Sequence, residues 1–253
     1  MTFAPAVTSP ARRGLVFAFS GQALHVSDQR VPEAERHDDD VVLGELDGVA
    51  CFARGHEPPP GCEPVPLRQL FGVLGDEPFG VAGRALALVA WDHDHRYCGR
   101  CASPTVRSAT ERARTCTSCG HTAYPRISPA IITLVERDGR ALLARNARTR
   151  MPFFSTLAGF VEIGETLEEC VVREVREEAG IEIGDVRYFG SQPWPFTGSL
   201  MVGFTARWTA GELAPDPTET ADAAWFAPHD LPMVPPKLSI ARALIDDFVR
   251  RHG

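Results

Sequence analysis

The stretch Gly159–Ile181, GFVEIGETLEECVVREVREEAGI, constrains this chain more than any other. Thr166 stands three residues before Glu169, a spacing that lets each side chain bond the other residue's backbone N–H. Leu167 to Ala179 contains neither proline nor glycine, and Gly180 stands where a helix-terminating glycine belongs. The spacing therefore predicts a loop feeding a helix with fixed ends. At about 100° per residue, Glu174 and Glu178 lie roughly 40° apart and Glu177 roughly 60° to the other side of Glu174. All of these carboxylates share one face, while Val171, Val172 and Val175 supply apolar positions elsewhere. Like charges at this spacing repel by ~0.2–0.5 kcal/mol per pair in water, so something positive should offset them. Two sources are open. Arg173 and Arg176 with solvent would make the face an ordinary acidic surface. Alternatively, Mg²⁺ or Mn²⁺ would take the carboxylate oxygens together with phosphate oxygens of a substrate. The second source implies a phosphate or pyrophosphate substrate.

The length of 253 residues suits one large domain or two modest ones, and 44% hydrophobic residues describe a globular chain. A formal net charge of −7 argues against binding duplex nucleic acid by broad electrostatics, though it leaves a local basic groove open. No apolar run reaches membrane-spanning length, and the short one near the N-terminus lacks a small-residue cleavage site, so a cytoplasmic protein with no membrane association is expected. Of the 7 cysteines, Cys98, Cys101, Cys116 and Cys119 form two C-x-x-C pairs, with Gly99 and Gly120 beside them for tight knuckles. That spacing reads as a zinc ribbon: thiolates at tetrahedral positions close the coordination sphere and make the zinc structural. Cys51, Cys62 and Cys170 are scattered, which fits a disulfide framework poorly. Cys51 and Cys170 read most simply as small core residues.

The chain divides into three expected domains. Over 1–95, residues 15–19, 22–26, 41–46 and 49–53 look like strands, the last pair joined at Asp47-Gly48. A proline-rich connection from Glu57 to Pro66 leads to PLRQLFGVL and PFGVAGRALALVAWDHDH, both of helical periodicity, so this part is an α/β domain without a catalytic signature. His93 and His95 lie near the first C-x-x-C pair, where they read either as further metal ligands or, more simply, as surface residues at a helix end. The ribbon occupies 96–125. From 126 to 253 the pattern is again α/β: PAIITLVE and RALLARN flank the turn Arg137-Asp138-Gly139, FFSTLA precedes the acidic helix, and VRYFG, SLMVGFTARW and AAWF read as further strands. LSIARALIDDFVRRH reads as a closing amphipathic helix. In SQPWPFTGSLM two prolines bracket Trp194 and set it on a stiff extended segment. Trp194 or Phe196 there serves either as a stacking platform for adenine or nicotinamide, a contact of ~1–3 kcal/mol, or as a buried core pair.

Gly159, Glu165, Arg173 through Glu178, and Gly180-Ile181 together resemble the complete Nudix box. SQPWPF with Ser199-Leu200-Met201 resembles the downstream signature of the NADH pyrophosphatases of the Nudix superfamily, with Thr197 in place of the usual proline. The likeness also covers the ribbon, Tyr124-Pro125-Arg126, Glu219 and Ser239 to Arg242, whereas the N-terminal third matches only in length apart from the segment holding Arg68. The resemblance implies a mixed sheet sandwiched between helices, an α/β/α Nudix domain, in which Glu165 and Arg173 form a structural ion pair. It implies Cys98, Cys101, Cys116 and Cys119 as zinc ligands, and Glu174, Glu177, Glu178, Glu219 and the Ala158 carbonyl as holders of Mg²⁺ or Mn²⁺. Gln192, Pro193, Trp194, Pro195, Phe196, Thr197, Gly198, Ser199 and Ala241 would line a dinucleotide pocket. Phe160 and Tyr124 would stack on a ring, Tyr124 from across a homodimer interface, with Arg68 and Glu111 as further substrate contacts.

The implied reaction is metal-assisted hydrolysis of NADH or NAD⁺ to AMP and nicotinamide mononucleotide, with Glu178 or else Glu177 activating water. Removal of an NAD cap from RNA would use the same residues, with Arg145, Arg148 and Arg150 as candidates for a basic lane. A non-catalytic zinc-ribbon binding module is the reading from another class, and the full glutamate set argues against it. Hydrolysis of ADP-ribose or a nucleoside triphosphate leaves SQPWPF unexplained.

Overall fold

A computed structural model describes residues 2–147 and 152–253. By backbone contacts the chain forms two units, Met1–Arg126 with Pro195–Gly198, and Ile127–Trp194 with Ser199–Gly253. Among the described residues, no helix is long and apolar enough to cross a membrane.

The first unit opens with strands β1 (Phe3–Pro5), β2 (Arg13–Ser20), β3 (Ala23–Val26), β4 (Glu33–Glu35), β5 (Val41–Leu46), β6 (Val49–Arg54) and β7 (Glu63–Pro66). They form one sheet in the order β1-β5-β6-β2-β3-β7, with β4 also paired to β2. The β5–β6 turn carries positive φ at both Asp47 and Gly48, the twist that a tight two-residue hairpin requires. Helix α1 (Asp76–Asp94) packs on β2, β5 and β6, and Val16, Ala18, Val42, Ala50 and Phe52 form a buried cluster of the sheet. The expected helix over PLRQLFGVL is only a 3-10 turn at Leu67–Leu70, because Phe71 is extended and Gly72 has φ 76°. Strands β1, β4 and β7 carry no clear sequence signal. Pro64 and Pro66 hid β7, yet prolines are tolerated at this edge, where one side of the strand makes no ladder bonds.

After α1 come β8 (Thr105–Arg107), β9 (Arg114–Cys116) and β10 (Thr122–Ala123), a small antiparallel sheet that carries the cysteine knuckles. Asp92, near the end of α1, fastens this segment. Its carboxylate accepts from Arg107 Nε and Nη2 at 2.7 Å each and from Arg114 Nη1 at 2.6 Å. Burial alone would raise the Asp92 carboxyl, but the hydrogen bonds and charge of the two guanidiniums outweigh it and hold the group below the ordinary carboxylate range.

The second unit comprises β11 (Ser128–Arg137), β12 (Arg140–Asn146), β13 (Leu157–Phe160), α2 (Leu167–Ala179), β14 (Glu182–Trp194), β15 (Ser199–Ala210), β16 (Thr220–Phe226) and α3 (Ile240–His252). Its sheet runs β14-β15-β11-β12-β16, with β13 also on β11, and is mixed because β11 and β15 are parallel. Alternation along β11 decides the layering. Ile131 and Val135 join the clusters under α2 with Cys170, Val171 and Val175, while Ile132 and Leu134 join the cluster under α3 with Leu244, Ile245 and Phe248. Helices therefore cover both faces, as the resemblance implied. Cys51 and Cys170 are fully buried core residues, and burial pushes their thiols up to about 11 and about 12.

Asp92→Asn leaves two guanidiniums facing a neutral amide in a site where the carboxylate side chain is only 6% exposed. The expected loss is about 3–5 kcal/mol, the usual consequence of breaking a buried pair. Faster amide hydrogen exchange in α1, β8 and β9 would report it; unchanged exchange in these elements would show that Arg107 and Arg114 find other partners.

Candidate functional site

Helix α2 starts and stops as its sequence dictates. Thr166 Oγ1 accepts from the Glu169 N–H at 3.2 Å, Glu169 Oε2 accepts from the Thr166 N–H at 2.8 Å, and Gly180 is left-handed with φ 72°. Arg173 organises the face above it. Its Nε and Nη2 donate to the two oxygens of Glu165 at 2.8 and 2.9 Å, so the expected Glu165–Arg173 pair is present and bidentate. The same guanidinium donates to Glu174 Oε1 at 2.8 Å, to Glu177 Oε2 at 3.0 Å and to the Phe160 carbonyl at 2.9 Å. The Arg173 hydrogen bonds and the Glu162 N–H bring the Glu165 carboxyl down to about 2.

Gly159 lies on β13 directly under Glu174. A Cβ there would come within 1.8 Å of the Glu174 carboxyl carbon, so only glycine lets the strand backbone and this buried carboxylate meet. Burial is the main cause that raises Glu174, with Glu177 and Glu219 adding to it and Arg173 opposing. Glu178 is pushed up to about 8, first by burial, then by the charge of Glu174, with Glu219 and Glu177 adding and the Ala158 backbone opposing. Among the described residues, no basic side chain lies within salt-bridge distance of Glu178. The structure thus gathers Glu174, Glu177, Glu178 and, from just before β16, Glu219 into one electrostatic cluster. Glu177 is more exposed than Glu174 and is engaged by Arg173.

Glu178 opens into a cavity of about 190 Å³ lined also by Asn146, Ser155, Thr156, Ala158 and Thr220. Thr156 Oγ1 is buried there without a hydrogen-bond partner among the described residues, which costs free energy unless a polar occupant supplies one. A hard-oxygen donor set, mutual carboxylate repulsion and an orphaned hydroxyl fit a hydrated divalent cation such as Mg²⁺ or Mn²⁺. Thr156, Asn146 and Thr220 were missed in the sequence. The polar Ser155-Thr156 step inside the apolar run FFSTLA was the available signal.

The other expected pocket residues fall in two groups. In the second unit, Phe160 is exposed, while Ser199 and Ala241 are buried, Ala241 within the core cluster under α3. Gln192 donates from Nε2 to the Leu238 carbonyl and accepts from the Ile240 N–H, both at 2.8 Å, so its amide holds the start of α3. Pro193 and Trp194 end β14, and Trp194 is half-buried. In the first unit, Phe196 is buried, with the Arg68 guanidinium 3.8 Å from its ring centroid. Pro195, Thr197 and Gly198 complete the tip between β14 and β15, with Gly198 at φ 67°. Tyr124 is exposed and its hydroxyl donates to Glu111 at 3.2 Å. Arg145 is exposed, and Arg148 and Arg150 lie outside the described residues.

The cysteine knuckles close on one point. Sγ–Sγ distances are 3.7 Å for Cys98–Cys119 and 3.5 Å for both Cys101–Cys116 and Cys101–Cys119. At a Zn–S bond of about 2.3 Å, a tetrahedral edge measures about 3.8 Å, so the thiols are already grouped for zinc. The Ser118 and Cys119 N–H groups donate to Cys116 Sγ at 3.4 Å each, and these bonds lower its thiol pKa. His95 instead places Nδ1 2.8 Å from the Trp91 carbonyl oxygen.

Comparison with known proteins agrees with this arrangement. The NUDIX domain profile matches residues 125–248, the NADH pyrophosphatase zinc ribbon profile residues 93–124, and the NADH pyrophosphatase-like rudimentary NUDIX profile residues 11–91. The NAD-capped RNA hydrolase NudC of Deinococcus radiodurans is 48% identical over 213 residues, 82% of this chain and 76% of that protein. The NAD-capped RNA hydrolase NudC of Pseudomonas putida is 44% identical over 226 residues, 86% of this chain and 82% of that one. A crystal structure of a NUDIX hydrolase from Nitrosomonas europaea shares the fold with a TM-score of 0.53 and 20% identity, covering 62% of this chain and 93% of its own. With its rudimentary Nudix-like domain, four-cysteine zinc ribbon and complete Nudix domain in this order, the chain belongs to the NADH pyrophosphatase family of Nudix hydrolases.

Proposed function

We propose that this enzyme cleaves the pyrophosphate of NADH and NAD⁺ with one water, releasing AMP and nicotinamide mononucleotide. The observation that carries the reading is that Glu174, Glu177 and Glu219 all act on the charge of Glu178, which itself faces a polar cavity. In this reading these carboxylates and the Ala158 carbonyl hold Mg²⁺ or Mn²⁺, which when bound neutralises pyrophosphate charge and acidifies water. Glu178 faces the cavity and takes the proton of the attacking water; Glu177, engaged by Arg173, is the weaker candidate. Arg173 and Glu165 position the helix and do not touch substrate. Cys98, Cys101, Cys116 and Cys119 hold a structural zinc.

In this reading Phe160, Gln192, Pro193, Trp194, Ser199, Ala241 and Glu219 are the nucleotide contacts of the second unit, and Arg68, Glu111, Tyr124 and Pro195 to Gly198 are contacts that rest on the family resemblance alone. The division into 1–95, 96–125 and 126–253, a homodimer and a cytoplasmic location complete the proposal. Cap removal from NAD-capped RNA is the same cleavage on a longer substrate, and the names of the relatives favour it as an equal role.

Three outcomes are expected. Incubation of the pure protein with equal NADH, ADP-ribose and NAD-capped RNA in Mg²⁺/Mn²⁺ buffer should yield AMP and reduced nicotinamide mononucleotide, together with 5′-monophosphate RNA. Faster cleavage of ADP-ribose than of either would remove the dinucleotide reading. Glu178→Gln should lower turnover by roughly 10²–10⁴-fold, the range of a lost general base, with zinc content retained; near-normal turnover would exclude Glu178 as the base. Gly159→Ala should displace Glu174 and weaken the rise in thermal midpoint produced by Mn²⁺, and an undiminished rise would show that the Glu174 position is not needed for the ion.

A further inference from the structure

We propose a second transition-metal site, on the first unit, in which His37, His56 and Glu57 hold a borderline divalent ion such as Zn²⁺. One ligand atom from each of these residues lies within 4.8 Å of the others. The two imidazoles stack at 26° with centroids 6.2 Å apart, and Asp39 Oδ2 stands 4.0 Å from His56 Nε2. Two nitrogen donors and a carboxylate suit Zn²⁺ better than Mg²⁺, which separates this set from the all-oxygen cluster near α2 and from the thiolates of the ribbon.

What makes the cluster a built site is the backbone beneath it. His37 lies in the connection between β4 and β5, and His56 and Glu57 follow β6. One buried ion pair fixes both segments. Arg54 donates from Nε and Nη2 to Asp40 Oδ1 and Oδ2 at 2.8 and 2.7 Å, and both side chains are almost wholly shielded from water. From that pair, Asp40 Oδ2 accepts the His37 N–H at 2.9 Å, while Arg54 donates to the carbonyls of Glu35 at 2.8 Å and Glu57 at 3.4 Å. Binding would draw the donors from separations within 4.8 Å to the roughly 3.3–3.5 Å edge of a tetrahedral site with Zn–N of about 2.0–2.1 Å. Glu57 also has φ 37°, a backbone conformation that residues with a Cβ seldom adopt. All three ligands are exposed, so water completes the coordination, and the ion acts as a clasp between the two connections.

The test uses the full-length protein with its ribbon zinc in place and saturating Mg²⁺ to occupy the oxygen cluster. Calorimetric titration with Zn²⁺ is expected to show one further binding event per chain. His37→Ala and His56→Ala should each weaken it at least tenfold, and the double variant should abolish it. Both imidazoles are exposed, so ribbon zinc content and the thermal midpoint without added Zn²⁺ should be unchanged in the double variant and serve as its folding control. Absence of the event in the wild-type protein would overturn the proposal. So would an event of undiminished affinity in the double variant, because the ion would then sit elsewhere.

Discussion

The fork of Arg173 is the contact on which the acidic helix depends. Its guanidinium bonds Glu165, Glu174, Glu177 and the Phe160 carbonyl at once, tying the loop before α2, the helix and strand β13 together. A lysine has neither the planar fork nor enough fixed donors to do this. The compensation is one-sided. Arg173 serves the carboxylates at its own end of the face, while Glu178, one turn after Glu174, feels Glu174, Glu177 and Glu219 without a basic partner among the described residues. A divalent ion at the proposed site would relieve that imbalance, and helix spacing alone leaves a solvated acidic face and a metal site equally open.

Features that depend on local spacing were legible in the sequence. The capping box of Thr166 and Glu169, the left-handed Gly180, the hairpin turns at Asp47-Gly48 and Asp138-Gly139 and the cysteine knuckles are settled within a few residues and are found as expected, except that the left-handed residue of the first knuckle is Ala102 and not Gly99. Features set by distant pairing were not. Glu219 reaches the cluster because β12 and β16 pair with a register shift at Arg145/Asn146, which also brings Thr220 opposite Asn146 at the cavity wall. Gly159 reads as a motif position, but its reason is a carboxylate from a helix several residues later. The edge strands β1, β4 and β7 are too short or too proline-rich for alternation to show, and they exist because a neighbouring strand supplies half of their hydrogen bonds.

The string from Gln192 to Ser199 has structural tasks besides the recognition role proposed for it. Gln192 spends its amide on α3, and Phe196 is buried under Arg68, so neither is a free surface waiting for a base. Burial lowers the Arg68 pKa, and the ring face supplies part of the compensation that water no longer gives. Gln22 donates to the Phe196 carbonyl at 3.0 Å, and a Cβ on Gly83 would lie 3.1 Å from Pro195. The tip Pro195–Gly198 is therefore held by the sheet and α1 of the first unit, which gives a domain without a catalytic signature a physical task.

Donor chemistry assigns the metals without reference to position in the chain. Four sulfurs separated by 3.5 to 3.7 Å along the measured edges leave a tetrahedral ion no vacant position, so zinc in the ribbon can staple the knuckles but cannot activate water. Glu178 borders a cavity of about 190 Å³, several times the roughly 30 Å³ share of one water in the liquid. Oxygen donors at such a cavity would hold a hard ion and leave room for water. Exchanging the donor sets would fail at both places: carboxylates bind zinc less selectively than thiolates do, and thiolates near the cavity would favour soft ions over the Mg²⁺ that phosphate chemistry uses.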